Sequence, residues 1–271
     1  MNILFFTHYF PPEGNAPASR TYEHCVRWVR AGHEVTVITC VPNVPNGVPY
    51  DGYCNQWRSQ HEVIDGIHVI RVWTLMAENS GFVKRIMNYL SYLVTAVWAG
   101  MFVKRPQVVI ATSPQFFCGW AGAVVQFARG VPFVLEIRDI WPESITAVGA
   151  MHVGFVVRML KWLERKLYLS ADHVVTVGRG YRNNVTSKAA VSDRISVIYN
   201  GVDGKYFSPP ASRIRSVVFH LVKPPYLVKP SLLYAVSRIW RPGAKAKPRC
   251  RLVKPPLLYA VSDNKGGGLT K

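Results

Sequence analysis

Two short stretches bring together residue types able to handle a phosphate or a sugar. The first, Arg138-Asp139-Ile140-Trp141-Pro142-Glu143, sets a guanidinium beside a carboxylate within an aromatic and acidic cluster. Arg138 could hold a phosphate in a bidentate fork, and Asp139 could accept a proton or a sugar hydroxyl. The same pair could instead cap the helix that follows, and the residues alone leave both readings open. In the second, a hydrophobic run breaks into His8-Tyr9-Phe10-Pro11-Pro12-Glu13-Gly14-Asn15-Ala16-Pro17 before a helical pattern begins. Gly14 could let backbone amides approach an anionic group at the helix N-terminus. Any turn uses glycine and proline, however, and Gly14 belongs to no G-x-G-x-x-G pattern, so dinucleotide binding is not supported.

Both stretches need a parallel sheet to position them. Residues 3–6 read as a strand, and the next segment reads as a helix. Arg20, Glu23, Arg27 and Arg30 lie on its water side, with Cys25, Val26 and Val29 towards a core. Ala31-Gly32-His33 supplies glycine where a left-handed cap belongs, and residues 35–39 form a β-branched strand. This is a βαβ unit, and its first loop opens at the carboxyl edge of the sheet, where such folds bind ligands. A fold that starts at the second residue leaves no room for a signal peptide.

Residues 42–65 look irregular and too long for a turn, so they form a functional or mobile loop. Asp65-Gly66 then turns into a third strand at 67–73. Residues 86–103 carry no charge and are bracketed by Lys84-Arg85 and Lys104-Arg105. That length is at the lower edge for spanning a bilayer. Asn88, Ser91 and Thr95 recur at helical spacing, which favours a core or interfacial helix. Residues 107–112 are a continuous apolar strand, and Ser113-Pro114-Gln115 opens a helix of small residues. A fifth strand at 133–137 empties directly into Arg138-Asp139. An amphipathic helix at 155–169 sets Met159-Leu160, Trp162-Leu163 and Leu167 against a basic face. A strand at 173–177, a short helix at 180–188 and a last strand at 194–198 complete the body.

With 49% hydrophobic residues, the 271-residue chain is globular. Its five cysteines are scattered and form no C-x-x-C pair, so neither a disulfide framework nor a metal site is indicated. A reducing cytoplasm fits that usage. The net charge of +18 is uneven: residues 1–208 carry +6 and residues 209–271 carry +12. Nucleic acid is therefore suggested only by the tail.

Seven ordered motifs give the body a family resemblance. They are His8-Tyr9-Phe10-Pro11-Pro12-Glu13-Gly14, Gly32-His33-Glu34-Val35-Thr36-Val37, Asp65-Gly66-Ile67-His68-Val69, Ala111-Thr112-Ser113-Pro114, Arg138-Asp139-Ile140-Trp141-Pro142-Glu143, Ala171-Asp172-His173 and Asn200-Gly201-Val202-Asp203. Residues 1–208 resemble the N-terminal domain of a family 4 glycosyltransferase of the GT-B type, close to bacterial enzymes of capsule, O-antigen and colanic-acid assembly.

The resemblance implies an α/β, Rossmann-like parallel sheet that holds the acceptor, paired with a second domain for a nucleotide-diphosphate sugar. It implies a retaining transfer without cofactor or metal onto a glycan acceptor, often lipid-linked, by a cytoplasmic protein peripheral on the inner membrane leaflet. Gly14 and Asn15 would then approach the donor diphosphate. Arg138 and Asp139 would be catalytic, and Tyr9, Arg20, Ser113, Trp141 and Glu143 would serve the acceptor.

The tail departs from the family. Relatives carry a Glu-x7-Glu in the donor domain, but no glutamate follows Glu164 here. Instead Leu221-Val222-Lys223-Pro224-Pro225 recurs at 252–256, and Leu232-Leu233-Tyr234-Ala235-Val236-Ser237 recurs at 257–262. The expectation is that a basic, proline-rich, disordered or non-native tail at 209–271 replaces the donor domain. The chain would then be impaired alone, or would act as a non-catalytic acceptor- or membrane-binding subunit beside a separate donor-domain partner.

Overall fold

The computed structural model describes residues 1–76, 82–113, 115–141, 143 and 154–201. The basic tail lies outside the described residues, as does the second half of Asn200-Gly201-Val202-Asp203. Five helices and eight strands are described: β1 (Asn2–Phe6), α1 (Ala16–Arg30), β2 (Glu34–Cys40), β3 (Gln60–Ile64), β4 (Ile67–Val72), α2 (Phe82–Phe102), β5 (Val108–Thr112), α3 (Phe116–Arg129), β6 (Phe133–Ile137), α4 (Phe155–Ser170), β7 (His173–Thr176), α5 (Arg179–Lys188) and β8 (Ile195–Val197).

The strands make one sheet in the order β3-β4-β2-β1-β5-β6-β7-β8. Every described pairing is parallel except the β3–β4 hairpin. Apolar runs such as Val108–Thr112 form interior strands because both sheet faces are covered. Ile3, Phe5, Val35 and Val37 pack on one face with Cys25, Val26 and Trp28 of α1. Leu4, Phe6, Ala111 and Leu135 pack on the other with residues of α2, α3 and α4. This is a doubly wound, Rossmann-like α/β sheet. Its switch point lies between β1 and β5, where connections leave in opposite directions and open a crevice at the carboxyl edge.

The small residues of α3 let it sit close to its neighbours. A Cβ on Gly122 would fall 2.7 Å from the Phe133 ring, and one on Gly119 2.7 Å from Leu167. Helix α2 is a sheet-covering element. Tyr92 and Ala96 are buried, and the Tyr92 hydroxyl donates to the Thr7 and Ile38 carbonyls at 2.9 Å each. Among the described residues no helix is long and apolar enough to cross a membrane.

Three sequence expectations change. Residues 42–65 are not irregular throughout, because Gln60–Ile64 pairs antiparallel with β4. Asp65 and Gly66, at φ 49° and 80°, make the tight turn between them. In α4 the buried stripe is Val157, Leu160, Glu164 and Leu167, whereas Met159 and Trp162 are exposed. Arg20 does not stand in water with Arg27 and Arg30. It is half-buried, because its long side chain leaves α1 close to the carboxyl edge and comes within electrostatic reach of Glu136 and Arg138.

Candidate functional site

The loops that follow β1, β5 and β6 meet at the carboxyl edge. The β1 loop is pinned from two sides. Glu13 is buried, and its Oε1 accepts the N–H groups of Asn43 (3.0 Å) and Val44 (3.3 Å). Burial pushes its carboxyl pKa up, against the pull of those two donors. From β4, Arg71, only 1% exposed, donates to the Pro11 carbonyl, to the Cys40 carbonyl and to Glu62. It also lies 4.8 Å from the Tyr53 ring centre. One guanidinium therefore ties this loop to the end of β2 and to the middle of β3.

Asn15 caps α1, its Oδ1 accepting the Ala18 N–H at 2.9 Å. The first turn of α1 holds no acidic residue, so the positive end of its dipole faces the crevice unneutralised by its own side chains. Gly14 is exposed, and a Cβ there would meet nothing within 4 Å. The protein's own packing does not call for glycine at this position; close approach by a ligand would. Tyr9 packs edge-on against the His8 ring, which also meets Tyr89 and Tyr92. Burial pulls the His8 pKa down to about 3, partly opposed by Asn88, so this histidine is neutral at pH 7.

Ser113 joins the β5 and β6 loops. Its Oγ accepts the N–H groups of Arg138 (2.7 Å) and Asp139 (3.1 Å). Its hydroxyl thus positions the Arg-Asp turn. The Asp139 carboxylate accepts the Ile140 N–H at 2.9 Å and lines a small pocket with Ser113, Trp141 and Tyr168. Trp141 is buried and stacks on Phe116 with ring centres 5.6 Å apart. It is a wall of this pocket rather than an open platform. Glu143 Oε1 lies 2.8 Å from Lys188 Nζ, and the same ammonium donates to buried Glu164 at 2.9 and 3.0 Å. Lys188 thereby fastens the β6 loop to α4 and α5.

Arg138 points to the opposite sheet face from that pocket. It donates to Glu136 and to the side-chain oxygen of Asn200. Glu136 is fully buried. Burial alone would raise its pKa, but the charges of Arg138, His24 and Arg20 outweigh that cost and hold it down at about 2. Among the predicted residues the structure thus brings Arg20 and Arg138 together on one side, and Ser113, Asp139, Trp141 and Glu143 on the other, with Gly14 and Asn15 at the head of α1. Sequence reading missed Glu136, although a carboxylate inside an apolar strand, two residues before Arg138 and so on the same face, was the signal. It also missed Arg71, a charge within a strand that alternates apolar residues.

A doubly wound sheet with its loops converging over a helix N-terminus defines a Rossmann-like domain. Residues 15–201 match the glycosyl transferase 4-like domain, and the chain belongs to that family of glycosyltransferases. A 102-residue stretch is 30% identical to alpha-maltose-1-phosphate synthase of Mycolicibacterium smegmatis, covering 37% of this chain and 26% of that protein. Among solved structures, HepE of Anabaena in complex with UDP-glucose is similar at 16% identity and a TM-score of 0.45, over 78% of this chain and 47% of that one. The alpha,alpha-trehalose 6-phosphate synthase of Burkholderia multivorans is similar at 11% identity and a TM-score of 0.42, over 71% and 42% of the two chains. This chain spans about a quarter of the curated relative's length and less than half of each solved structure.

Proposed function

We propose that residues 1–208 form the acceptor-side half of a retaining, GT-B-type sugar transferase. It takes a hexosyl group from a nucleotide-diphosphate sugar and passes it to a glycan acceptor, lipid-linked at the inner membrane leaflet, in cell-surface polysaccharide synthesis. The observation that carries this reading is the convergence of the β1, β5 and β6 loops over the α1 N-terminus in a chain of this family. The departing diphosphate lies against the Gly14–Asn15 backbone, where the helix dipole favours the charge that develops as the glycosidic bond breaks. Asp139 receives a hydrogen bond from a hydroxyl of the transferred sugar and fixes its orientation. Arg138, held by Glu136, adds positive charge at the same edge, while Tyr9, Arg20, Ser113, Trp141 and Glu143 shape the acceptor side. No cofactor or metal takes part.

In this reading a second domain holds the donor nucleotide, and residues 209–271 contain no glutamate for the Glu-x7-Glu that the resemblance implies there. The purified 271-residue chain, incubated with labelled nucleotide-diphosphate sugars and a bacterial lipid extract, is expected to transfer no label. Adding a separately produced donor domain of a relative is expected to restore transfer. Turnover by the chain alone would overturn the two-domain requirement.

A second reading, a non-catalytic membrane-binding subunit, is favoured by one surface. Val94, Trp98 and Phe102 of α2 and Val124 and Phe127 of α3 are exposed, and Lys104, Arg105 and Arg129 lie at the same end of these helices. Aromatic residues rimmed by cations suit an anionic bilayer surface. Sedimentation with phosphatidylglycerol vesicles should fall at least tenfold in the Trp98→Ser/Phe127→Ser double variant. Equal sedimentation of both proteins would remove this reading.

A further inference from the structure

The sheet face covered by α1 carries a polar cluster whose unmet hydrogen bonds the proposed transfer does not account for. Arg20 and His24 from α1 and Arg138 from the β6 loop surround the single carboxylate of Glu136. Arg138 is paired, as described, with Glu136 and Asn200. Arg20 is different: its Nε and Nη2 are buried without a hydrogen-bond partner, and so are Arg138 Nε and Glu136 Oε2. His24 Nδ1, 4.0 Å from Glu136 Oε1, makes no hydrogen bond either.

A guanidinium has five N–H donors and stays charged in proteins, so it cannot relieve the imbalance by losing a proton. Burial and Arg138 do pull Arg20 down, but only to about 10, and it remains a cation at neutral pH. Two guanidinium groups facing one carboxylate leave one positive charge over. Buried donors and acceptors in native proteins almost always find partners. A ligand that completes this cluster must therefore bring oxygens for three N–H donors and one hydroxyl for Glu136 Oε2.

We propose that Arg20, Arg138 and Glu136 form a phosphoryl-binding subsite. Its ligand is a phosphate group that retains one acidic proton: two oxygens accept from Arg20 Nε and Nη2 in a fork, a third accepts from Arg138 Nε, and the P–O–H donates to Glu136 Oε2. This deepens the reading of the carboxyl edge as a sugar-transfer site and rests on it for the ligand's source. A phosphomonoester on the acceptor and the terminal phosphate of the nucleoside diphosphate released by transfer share this chemistry, whereas the intact donor, esterified at both phosphates, has no such proton.

The test is thermal unfolding of the full chain in phosphate and in sulfate at one ionic strength, for wild type and Arg20→Met. Methionine removes the unpartnered donors while keeping much of the side-chain volume, and Arg138 remains as the partner of Glu136, so the variant should fold; each protein's shift is read against its own melting temperature in chloride. Phosphate at one hundred times its Kd is expected to raise the wild-type melting temperature by about 5–10 °C and to leave Arg20→Met unmoved. Sulfate has no proton to donate and should raise it less. Equal shifts in wild type and variant would overturn the subsite, and a sulfate effect equal to that of phosphate would overturn the role of Glu136. Two further ligands identify the source. Competition with phosphate by a hexose 1-phosphate places an acceptor here, and competition by a nucleoside diphosphate places the leaving nucleotide here. Nucleotide-sugar binding that is identical in wild type and Arg20→Met, with no phosphate effect in either, would sink the subsite while leaving the transfer site standing.

Discussion

Glu136→Gln is expected to cost about 3 kcal/mol of stability at neutral pH and to flatten its dependence on acid. Glu136 is buried against Arg138, and its pKa lies near 2 instead of 4.5. The sign follows from which state holds the proton. Between pH 4.5 and about 2 the unfolded chain protonates this carboxyl while the folded chain does not. The stability it contributes is therefore complete above about pH 4.5 and is lost as pH falls towards 2. Glutamine keeps a hydrogen-bond acceptor but leaves Arg138 and Arg20 without a counter-charge. Urea titrations of both proteins across pH 2–7 decide the point. The wild type should lose stability steeply below pH 4.5, and the variant, weaker throughout, should lose about 3 kcal/mol less over that range. Parallel curves would refute the assignment.

Arg71→Leu should lower stability by about 3 kcal/mol, or about 6–12 °C in melting temperature for a domain of this size. The leucine leaves the Pro11 and Cys40 carbonyls without this donor and removes the cationic partner of Glu62, which keeps only the Tyr53 hydroxyl at 3.3 Å among the described residues. Because Glu62 is partly exposed (29%), water recovers some of its share, and the carbonyls carry most of the loss. Arg71→Lys should sit between, since one ammonium cannot reproduce the planar fork that spans three acceptors. The effect should extend to ligand binding. Pro11 lies three residues before Gly14, so a loosened loop weakens nucleotide-sugar affinity even under conditions where the variant is folded. Unchanged melting in both variants would show that the loop is held by other contacts.

The sheet was legible because its interior strands are unbroken apolar runs, and such runs need cover on both faces. The place of Arg138-Asp139 and of the Gly14 loop at the carboxyl edge was legible for the same reason, since Arg138 directly follows β6 and that loop follows β1. Strand β3 was not, because Gln60-His61-Glu62 at a sheet edge looks like loop; only the Asp65-Gly66 turn pointed to a hairpin. Helical periodicity put Arg20 in water, but periodicity describes where a Cβ points and not how far a long side chain can reach back over a sheet edge. It also counted Met159 and Trp162 with the core stripe, although both are exposed on α4. Arg71 and Glu136 escaped because a charge in a buried strand gains its meaning from partners distant in sequence: Pro11 for one, and Arg20 for the other.

The central claim is that the carboxyl edge around Gly14, Ser113 and Asp139 receives a nucleotide-diphosphate sugar. Backbone amide shifts of the isotope-labelled chain, followed by NMR as a panel of nucleotide-diphosphate sugars is titrated in the presence of the separately produced donor domain, test it most directly. At least one sugar nucleotide should move the amides of Gly14, Asn15, Ser113 and Asp139 together, and Gly14→Val should abolish those shifts. Shifts confined to the opposite edge of the sheet, or an unchanged response in Gly14→Val, would contradict the account.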